Sequence, residues 1–187
     1  MTFNNRKGLP RIYNDAILSA KNRSFLVFIH DDVWIDDYFL SNRIREGLSQ
    51  FDIIGVAGNR KRTSQQPAWL FNDLHFTRDD KSNLTGAVAH AKHPFGNITY
   101  FGEVPAECEL LDGVLLAARK AVLVNASCFF DPRFDFHFYD LDFCRTAKQK
   151  KLTLGTWPIS ITHQSSGVFG SEQWKRSYTT YIDKWGE

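Results

Sequence analysis

The chain has 187 residues, of which 43% are hydrophobic and 14% aromatic, so it is long enough to bury a sizeable core in one domain. Its 23 Lys and Arg residues against 21 Asp and Glu residues give a net charge of +2, which argues against a nucleic-acid binder. The three cysteines lack metal-type spacing, no apolar run approaches membrane-spanning length, and the polar first residues lead us to expect no secretory signal. We therefore expect a single cytoplasmic domain over residues 1–187 with free thiols and no membrane span.

The first half of the chain predicts a helix followed by a strand–helix–strand unit. Apolar spacing predicts a helix over residues 11–20, and the short apolar run 25–29 predicts a buried strand. A second helix begins at Asp36 or Asp37, and a second short strand covers residues 52–58. This order predicts that the two strands form a parallel pair with a right-handed crossover.

Residues 59–105 lack clean periodicity and predict a long irregular segment with one short hairpin. Helices and strands are predicted again after residue 105. They are, in order, a strand over 107–119 with a break at Asp112-Gly113, a helix from 120 to 125, a helix over 140–151, a strand over 153–161 followed by His163, and a helix over 172–185. We expect the aromatic stripe of the last helix to be a packing face.

The end of the first predicted strand carries His30, Asp31 and Asp32 in succession. Open α/β sheets bind ligands outside the carboxyl edges of their strands, and adjacent carboxylates are costly there unless a cation or water satisfies them. Oxygen ligands with an imidazole suit Mg²⁺ or Mn²⁺ bound to phosphate oxygens. The alternative is a solvated acidic turn in which Asp32 or Asp36 caps the following helix.

Two further features occur late in the chain. A second carboxylate pair, Asp140 and Asp142, opens a predicted helix, and His163 follows the last predicted strand. Asp140 also fits a helix N-cap, and a single histidine is more often a packed residue than a metal ligand. Taken singly, these residues do not indicate a function, and the rest of the chain is needed to assign their roles.

Three segments together resemble glycosyltransferases that use nucleotide-diphospho-sugars, with the GT-A fold, and most closely the family 2-like group. The segments are GLPRIYNDAILSAKNRSFLVFIHDDV, LLDGVLLAARKAVL and FDFHFYDLDFCRTAKQKKLTLGTWPISITHQSSG. In the first, His30-Asp31-Asp32 stands where the family has an acidic Asp-x-Asp motif or a His-x-Asp variant. The resemblance implies an α/β fold, with a GT-A-like (Rossmann-like), mainly parallel sheet flanked by helices.

The resemblance also implies a role for each matching residue. The metal ligands would be Asp32, His163 and His30, holding Mn²⁺ or Mg²⁺. The general base would be Asp140, with Asp142 as its neighbour and second choice. The residues placed near the nucleotide-sugar donor are Arg11, Asn14, Asp31, Asp112 and Gly113.

The implied activity is a metal-dependent, inverting transfer of a sugar, of hexosyltransferase type, from a UDP-sugar to the hydroxyl of an unknown acceptor. Family members begin with a strand–helix–strand unit that binds the nucleoside base, whereas here the metal-binding strand starts near Phe25. We therefore expect one of three cases: an abbreviated transferase domain, a domain whose nucleotide site an oligomer or a partner completes, or one fragment of a longer system. The alternatives are a catalytically degenerate module that binds nucleotide sugar or glycan, and a metal-dependent phosphoesterase.

Overall fold

A computed structural model describes residues 7–22, 24–165 and 167–187, and these residues form two mixed β-sheets flanked by helices. The helices are α1 (Leu9–Ser19), α2 (Leu40–Gln50), α3 (Lys120–Asn125), α4 (Tyr139–Gln149) and α5 (Glu172–Trp185). The strands are β1 (Phe25–Ile29), β2 (Val33–Ile35), β3 (Ile53–Gly55), β4 (Ala57–Asn59), β5 (Leu84–His90), β6 (Asn97–Gly102), β7 (Ala106–Cys108), β8 (Leu110–Leu111), β9 (Leu115–Arg119), β10 (Leu154–Thr156) and β11 (Ile161–His163). No helix in the described part of the chain is long and apolar enough to cross a membrane.

The first sheet has the strand order β1-β9-β3-β10-β7. Strand β9 pairs antiparallel with β1 on one side and antiparallel with β3 on the other. The predicted parallel pairing of the 25–30 strand with the 52–58 strand is therefore wrong, although β1 and β3 do point in the same direction. The reason is that β9 is apolar and almost fully buried, so it takes the central position between them.

The second sheet has the order β2-β11-β5-β4-β8, and β6 also pairs with β5. Among the strand pairings of the described residues, only β10 with β3 and β11 with β5 are parallel. The expected α/β class is confirmed, but a mainly parallel sheet is not, because most neighbours are antiparallel. Each sheet is mixed, and helices flank the two sheets.

The segment predicted to be irregular contains the longest strand of the second sheet. Strands β5 and β6 form an antiparallel hairpin of seven and six residues, which is longer than the short hairpin expected. Strand β5 reads LTGAVAH and is buried on both faces, so it lacks the polar alternation that marks a half-exposed strand. A side chain at Gly86 would meet the Val56 backbone at 2.1 Å, so glycine is required there.

An aromatic cluster fixes where helix α4 begins. The rings of Phe130 and Phe143 stack at 3.9 Å, and Phe130 also contacts Phe28 of β1. Phe138 is the N-cap of α4, in the left-handed conformation, and packs against Trp174 and other aromatic residues of α5. The start of α4 is thereby held near the carboxyl end of β1, and the aromatic stripe of α5 is a packing face as expected.

Candidate functional site

The strand topology brings three chain segments to one place. His30 follows β1, His163 ends β11, and Asp32 directly precedes β2. Because β2 pairs antiparallel with β11 and Val33 is opposite His163, Asp32 lies beside His163. The backbone N–H of Gln164 donates to the Asp32 carbonyl at 2.9 Å, which holds the β1–β2 turn against the end of β11.

His30, Asp32 and His163 form a group whose potential ligand atoms all lie within 4.8 Å of one another. Asp32 Oδ1 is 3.1 Å from His163 Nε2, and Ser165 Oγ is 3.1 Å from the same nitrogen. Donor atoms bound to one divalent ion at roughly 2.1–2.5 Å lie at most about 5 Å apart. The three residues that the sequence marks as metal ligands are therefore close enough to hold such an ion.

A tyrosine orients one member of this group. Tyr139 Oη donates to the Gly113 carbonyl at 2.9 Å and lies 2.9 Å from His30 Nε2. Since its one proton goes to the carbonyl, the tyrosine oxygen accepts from His30 Nε2–H, and His30 Nδ1 keeps its lone pair. Burial lowers the pKa of His30, which favours the neutral imidazole that a metal requires.

Gly113 lies between the metal group and the start of α4. A Cβ at this position would be 2.3 Å from Tyr139 Oη and 2.9 Å from Asp140 Cβ, so no side chain fits. The preceding Asp112 is held on both oxygens, accepting from Trp69 Nε1 at 2.9 Å and from the Val114 N–H at 2.9 Å. These contacts make the Asp112-Gly113 turn a rigid part of the site.

Asp140 faces the same turn. Its Oδ2 accepts from the Gly113 N–H at 3.0 Å, and its Oδ1 accepts from the Leu141 N–H at 2.9 Å. Burial, and then the charge of Asp112, raise the pKa of Asp140 to about 7. A carboxylate with this pKa can take up a proton near neutral pH, which is the property of a general base.

Asp142 points in another direction. Its side chain is fully buried, with Oδ1 2.6 Å from Lys184 Nζ and 3.0 Å from Trp185 Nε1. Residues two apart on a helix lie on nearly opposite sides, so Asp142 faces α5 when Asp140 faces the turn. The structure therefore does not bring the two carboxylates together, and Asp142 connects α4 to α5.

The remaining residues expected near the donor lie outside the central group. Both polar atoms of the Asn14 side chain bond the backbone of Phe130, at 2.8 and 3.0 Å, so this side chain joins α1 to the loop before α4. Arg11 is exposed on α1. Asp31 is exposed in the β1–β2 turn, next to the metal group. None of these three residues lines the cavity described below.

A cavity of about 500 Å³, here called the front cavity, joins the metal group to Asp140. Its polar wall includes His30, His163, Asp112 and Asp140. Sequence reasoning missed several of its lining residues, which are His90, Trp69, Phe101, Phe136, His137 and Tyr139. His90 is opposite His163 in the β5–β11 pairing, and its position at the end of an apolar strand was the available signal.

Comparison with known proteins agrees with this geometry. A search of curated proteins found no match to the chain. The model of a family described as a glycosyltransferase-like family matches residues 1–173. That range contains the cavity-lining residues His30, Asp112, Asp140 and His163, and also Asp32 of the metal group. With nearly the whole chain matched, this protein belongs to a glycosyltransferase-like family.

Proposed function

We propose that this protein is a metal-dependent glycosyltransferase that moves a sugar from a nucleotide diphosphate donor, a UDP-sugar, to an acceptor hydroxyl. One observation carries the proposal. The front cavity has a cluster of potential metal ligands at one end and, beside the Gly113 turn, a carboxylate whose pKa is about 7. Such a cavity can bind a charged leaving group at the metal end and an acceptor hydroxyl, whose proton is to be removed, beside Asp140.

The side chains at the metal end of the front cavity favour a divalent ion that binds nitrogen as well as oxygen. His30, Asp32 and His163 would hold it, and two imidazoles favour Mn²⁺ over the harder Mg²⁺. When bound, such an ion would neutralise the charge that develops on the leaving nucleoside diphosphate. Tyr139 contacts Nε2 of His30, which leaves Nδ1 of that ring for the ion, and Ser165 contacts Nε2 of His163, so these two residues orient the imidazoles.

Asp140 is the proposed base. Its carboxylate would accept the proton of the acceptor hydroxyl as that oxygen attacks the anomeric carbon. A direct attack assisted by one base needs no covalent sugar–enzyme intermediate, so we expect inversion at the anomeric carbon. Asp112 and the Gly113 backbone would line the sugar site beside it.

A second candidate is a binding module that holds a nucleotide sugar or glycan without turnover. The observation that favours it is that both oxygens of Asp140 already accept backbone N–H groups. These hydrogen bonds give Asp140 a role at the start of α4 that does not require catalysis.

Measurement of UDP release separates the two candidates. Purified protein would be incubated with a panel of UDP-sugars and simple saccharide acceptors, with Mn²⁺ or with a chelator. We expect release that depends on Mn²⁺ and is lost in Asp140→Asn, but is unchanged in Asp15→Asn, which alters an exposed carboxylate of α1. If UDP binds with Mn²⁺ and no donor is turned over, the binding module is correct.

A further inference from the structure

A second cavity of about 580 Å³ lies on the opposite face of the second sheet, and we call it the back cavity. Side chains of β5 alternate between the two cavities. Val88 and His90 line the front cavity, whereas Ala87 and Ala89 line the back cavity. The back cavity is therefore separated from the metal group by the thickness of the sheet.

Unpartnered polar atoms are concentrated at the back cavity. Among the described residues, seven buried side-chain polar atoms have no hydrogen-bond partner, and three of these belong to side chains lining it: Asp36 Oδ1, Arg43 Nε and Trp157 Nε1. Of the three, Arg43 Nε lies 3.8 Å from Asp37 Oδ2, an ion pair longer than a hydrogen bond. The other oxygen of Asp36 accepts from Thr162 Oγ1 at 2.5 Å and from the Phe95 N–H at 3.1 Å, so the carboxylate is held in place. Buried polar groups are rarely left unpaired, and a bound ligand is one explanation.

The charged side chains that line the back cavity limit the net charge of the ligand that it can bind. Its charged lining residues are Asp36, Asp37 and Arg43, so the net charge is about −1 when all three are ionised. A nucleoside diphosphate or another polyanion would be repelled by such a wall. A neutral ligand that both donates and accepts hydrogen bonds is favoured instead.

The apolar side chains of the back cavity favour a ligand that also has an apolar face. Its floor contains Val56, Ala89 and Ile159, and its rim carries Phe95 and Ile98, which are 64% and 74% exposed. A sugar ring combines an apolar face that packs on such groups with hydroxyls that can accept from an indole N–H and donate to a carboxylate. The volume is in the range of small-ligand sites.

We propose that the back cavity binds a neutral sugar unit through Asp36, Arg43 and Trp157, with Phe95 at its rim. The three atoms without a hydrogen-bond partner all belong to side chains that line the cavity, and Asp36 is held there by its bonds to Thr162 and Phe95. The assignment of this sugar to the acceptor glycan, at a distance from its reacting hydroxyl, rests on the proposed function. A carbohydrate site on this face would retain a glycan near the enzyme between transfers.

Indole N–H resonances provide separate reporters for the two cavities. Trp157 lines the back cavity and Trp69 lines the front cavity. Each resonance of the ¹⁵N-labelled protein would be assigned with the Trp157→Phe and Trp69→Phe variants. The probes are neutral trisaccharides of glucose, galactose or N-acetylglucosamine, and separately UDP with Mn²⁺. We expect at least one trisaccharide to shift the Trp157 resonance saturably.

Two variants test whether this binding is located in the back cavity. Ala89→Leu fills the cavity from its floor, and Phe95→Ser removes the exposed ring at its rim without altering the core. We expect each to weaken trisaccharide binding at least about fivefold, measured by saturation-transfer NMR. The exposed Ala16→Leu variant of α1 is the matched control and should bind as wild type does.

The proposal is overturned if no trisaccharide at about 10 mM moves the Trp157 resonance, or if binding survives both variants. These outcomes are distinct from failure of the proposed function. That failure would appear as a Trp69 resonance unmoved by UDP with Mn²⁺ together with no UDP release from any donor. A shift of Trp157 by UDP but not by saccharides would also contradict the neutral-sugar assignment.

Discussion

Tyr139 Oη lies 2.9 Å from His30 Nε2, and this contact links the start of α4 to the proposed metal group. Two consecutive residues of α4 bond the backbone of Gly113. Its carbonyl accepts from Tyr139, and its N–H donates to Asp140. A shift of Tyr139 would therefore move both the imidazole and the proposed base. This coupling makes the tyrosine a positioning residue for both ends of the front cavity.

The Tyr139→Phe variant removes the hydroxyl and preserves the ring packing. Because His30 loses the partner that orients it, we expect Mn²⁺ affinity to fall by about tenfold, as measured by titration calorimetry. Tyr178→Phe is a matched control, since Tyr178 also donates to a backbone carbonyl at 2.9 Å, but does so to Gln65. Equal Mn²⁺ affinity in the two variants would show that Tyr139 does not position His30.

Asp32→Ala tests the metal group directly. We expect it to abolish Mn²⁺-dependent UDP binding while leaving the thermal stability near that of wild type, because a clustered carboxylate at a functional site contributes little to stability. The adjacent Asp31→Ala is the control, since Asp31 is exposed and outside the group. Unfolding of the Asp32 variant under conditions where wild type is folded would make Asp32 a structural residue.

Asp140→Asn should lower sugar transfer by on the order of a hundredfold or more and leave UDP binding unchanged, because the amide cannot accept the acceptor proton. Transfer rate and UDP affinity would be measured on the same preparation. Retention of wild-type turnover in this variant would remove Asp140 from the mechanism.

The pH dependence of kcat/KM should report the same carboxyl group. Because the pKa of Asp140 is raised to about 7, the base is protonated below that pH, and activity should rise as the pH increases through this region. The charge of Asp112 contributes to the raised pKa, so Asp112→Asn should move the acidic limb to lower pH. Both proteins would be compared at the same saturating Mn²⁺ concentration, and an unmoved limb would contradict the assignment.

Lys184→Met tests the structural role of Asp142. The variant leaves the fully buried carboxylate of Asp142 without its cation and also removes the contact of Lys184 with Asp131, so we expect a loss of about 3–5 kcal/mol in the free energy of unfolding. Burial already raises the pKa of Asp142, and loss of Lys184 raises it further. The variant should therefore regain stability as the pH falls, because its folded state then holds a proton that the unfolded state binds less tightly.

Chemical denaturation at several pH values would measure this effect. Lys175→Met removes a lysine from an exposed pair on the same helix and is expected to cost less than about 1 kcal/mol. Stability of the Lys184 variant equal to that of the Lys175 variant at neutral pH would show that Asp142 does not depend on Lys184.

The sequence by itself determined the local elements and the chemical types at the site. Helical spacing predicted α5 over its observed residues, Glu172–Trp185, and the short apolar run predicted β1. The family resemblance pointed to His30, Asp32 and His163 as metal ligands, and the structure brings these three residues together. The predictions of α5 and β1 are confirmed, because periodicity depends on residues close together in the chain.

Only the tertiary structure decided which strands are neighbours and which carboxylate faces the cavity. Strand β9, whose residues are almost all buried, lies between β1 and β3, and these pairings join residues about 60 to 90 positions apart. Asp140 and Asp142 both lie in the first turn of α4, and the packing of α4 against α5 gives Asp140 the front cavity and Asp142 the contact with Lys184. Such choices depend on contacts between distant segments, which local patterns do not contain.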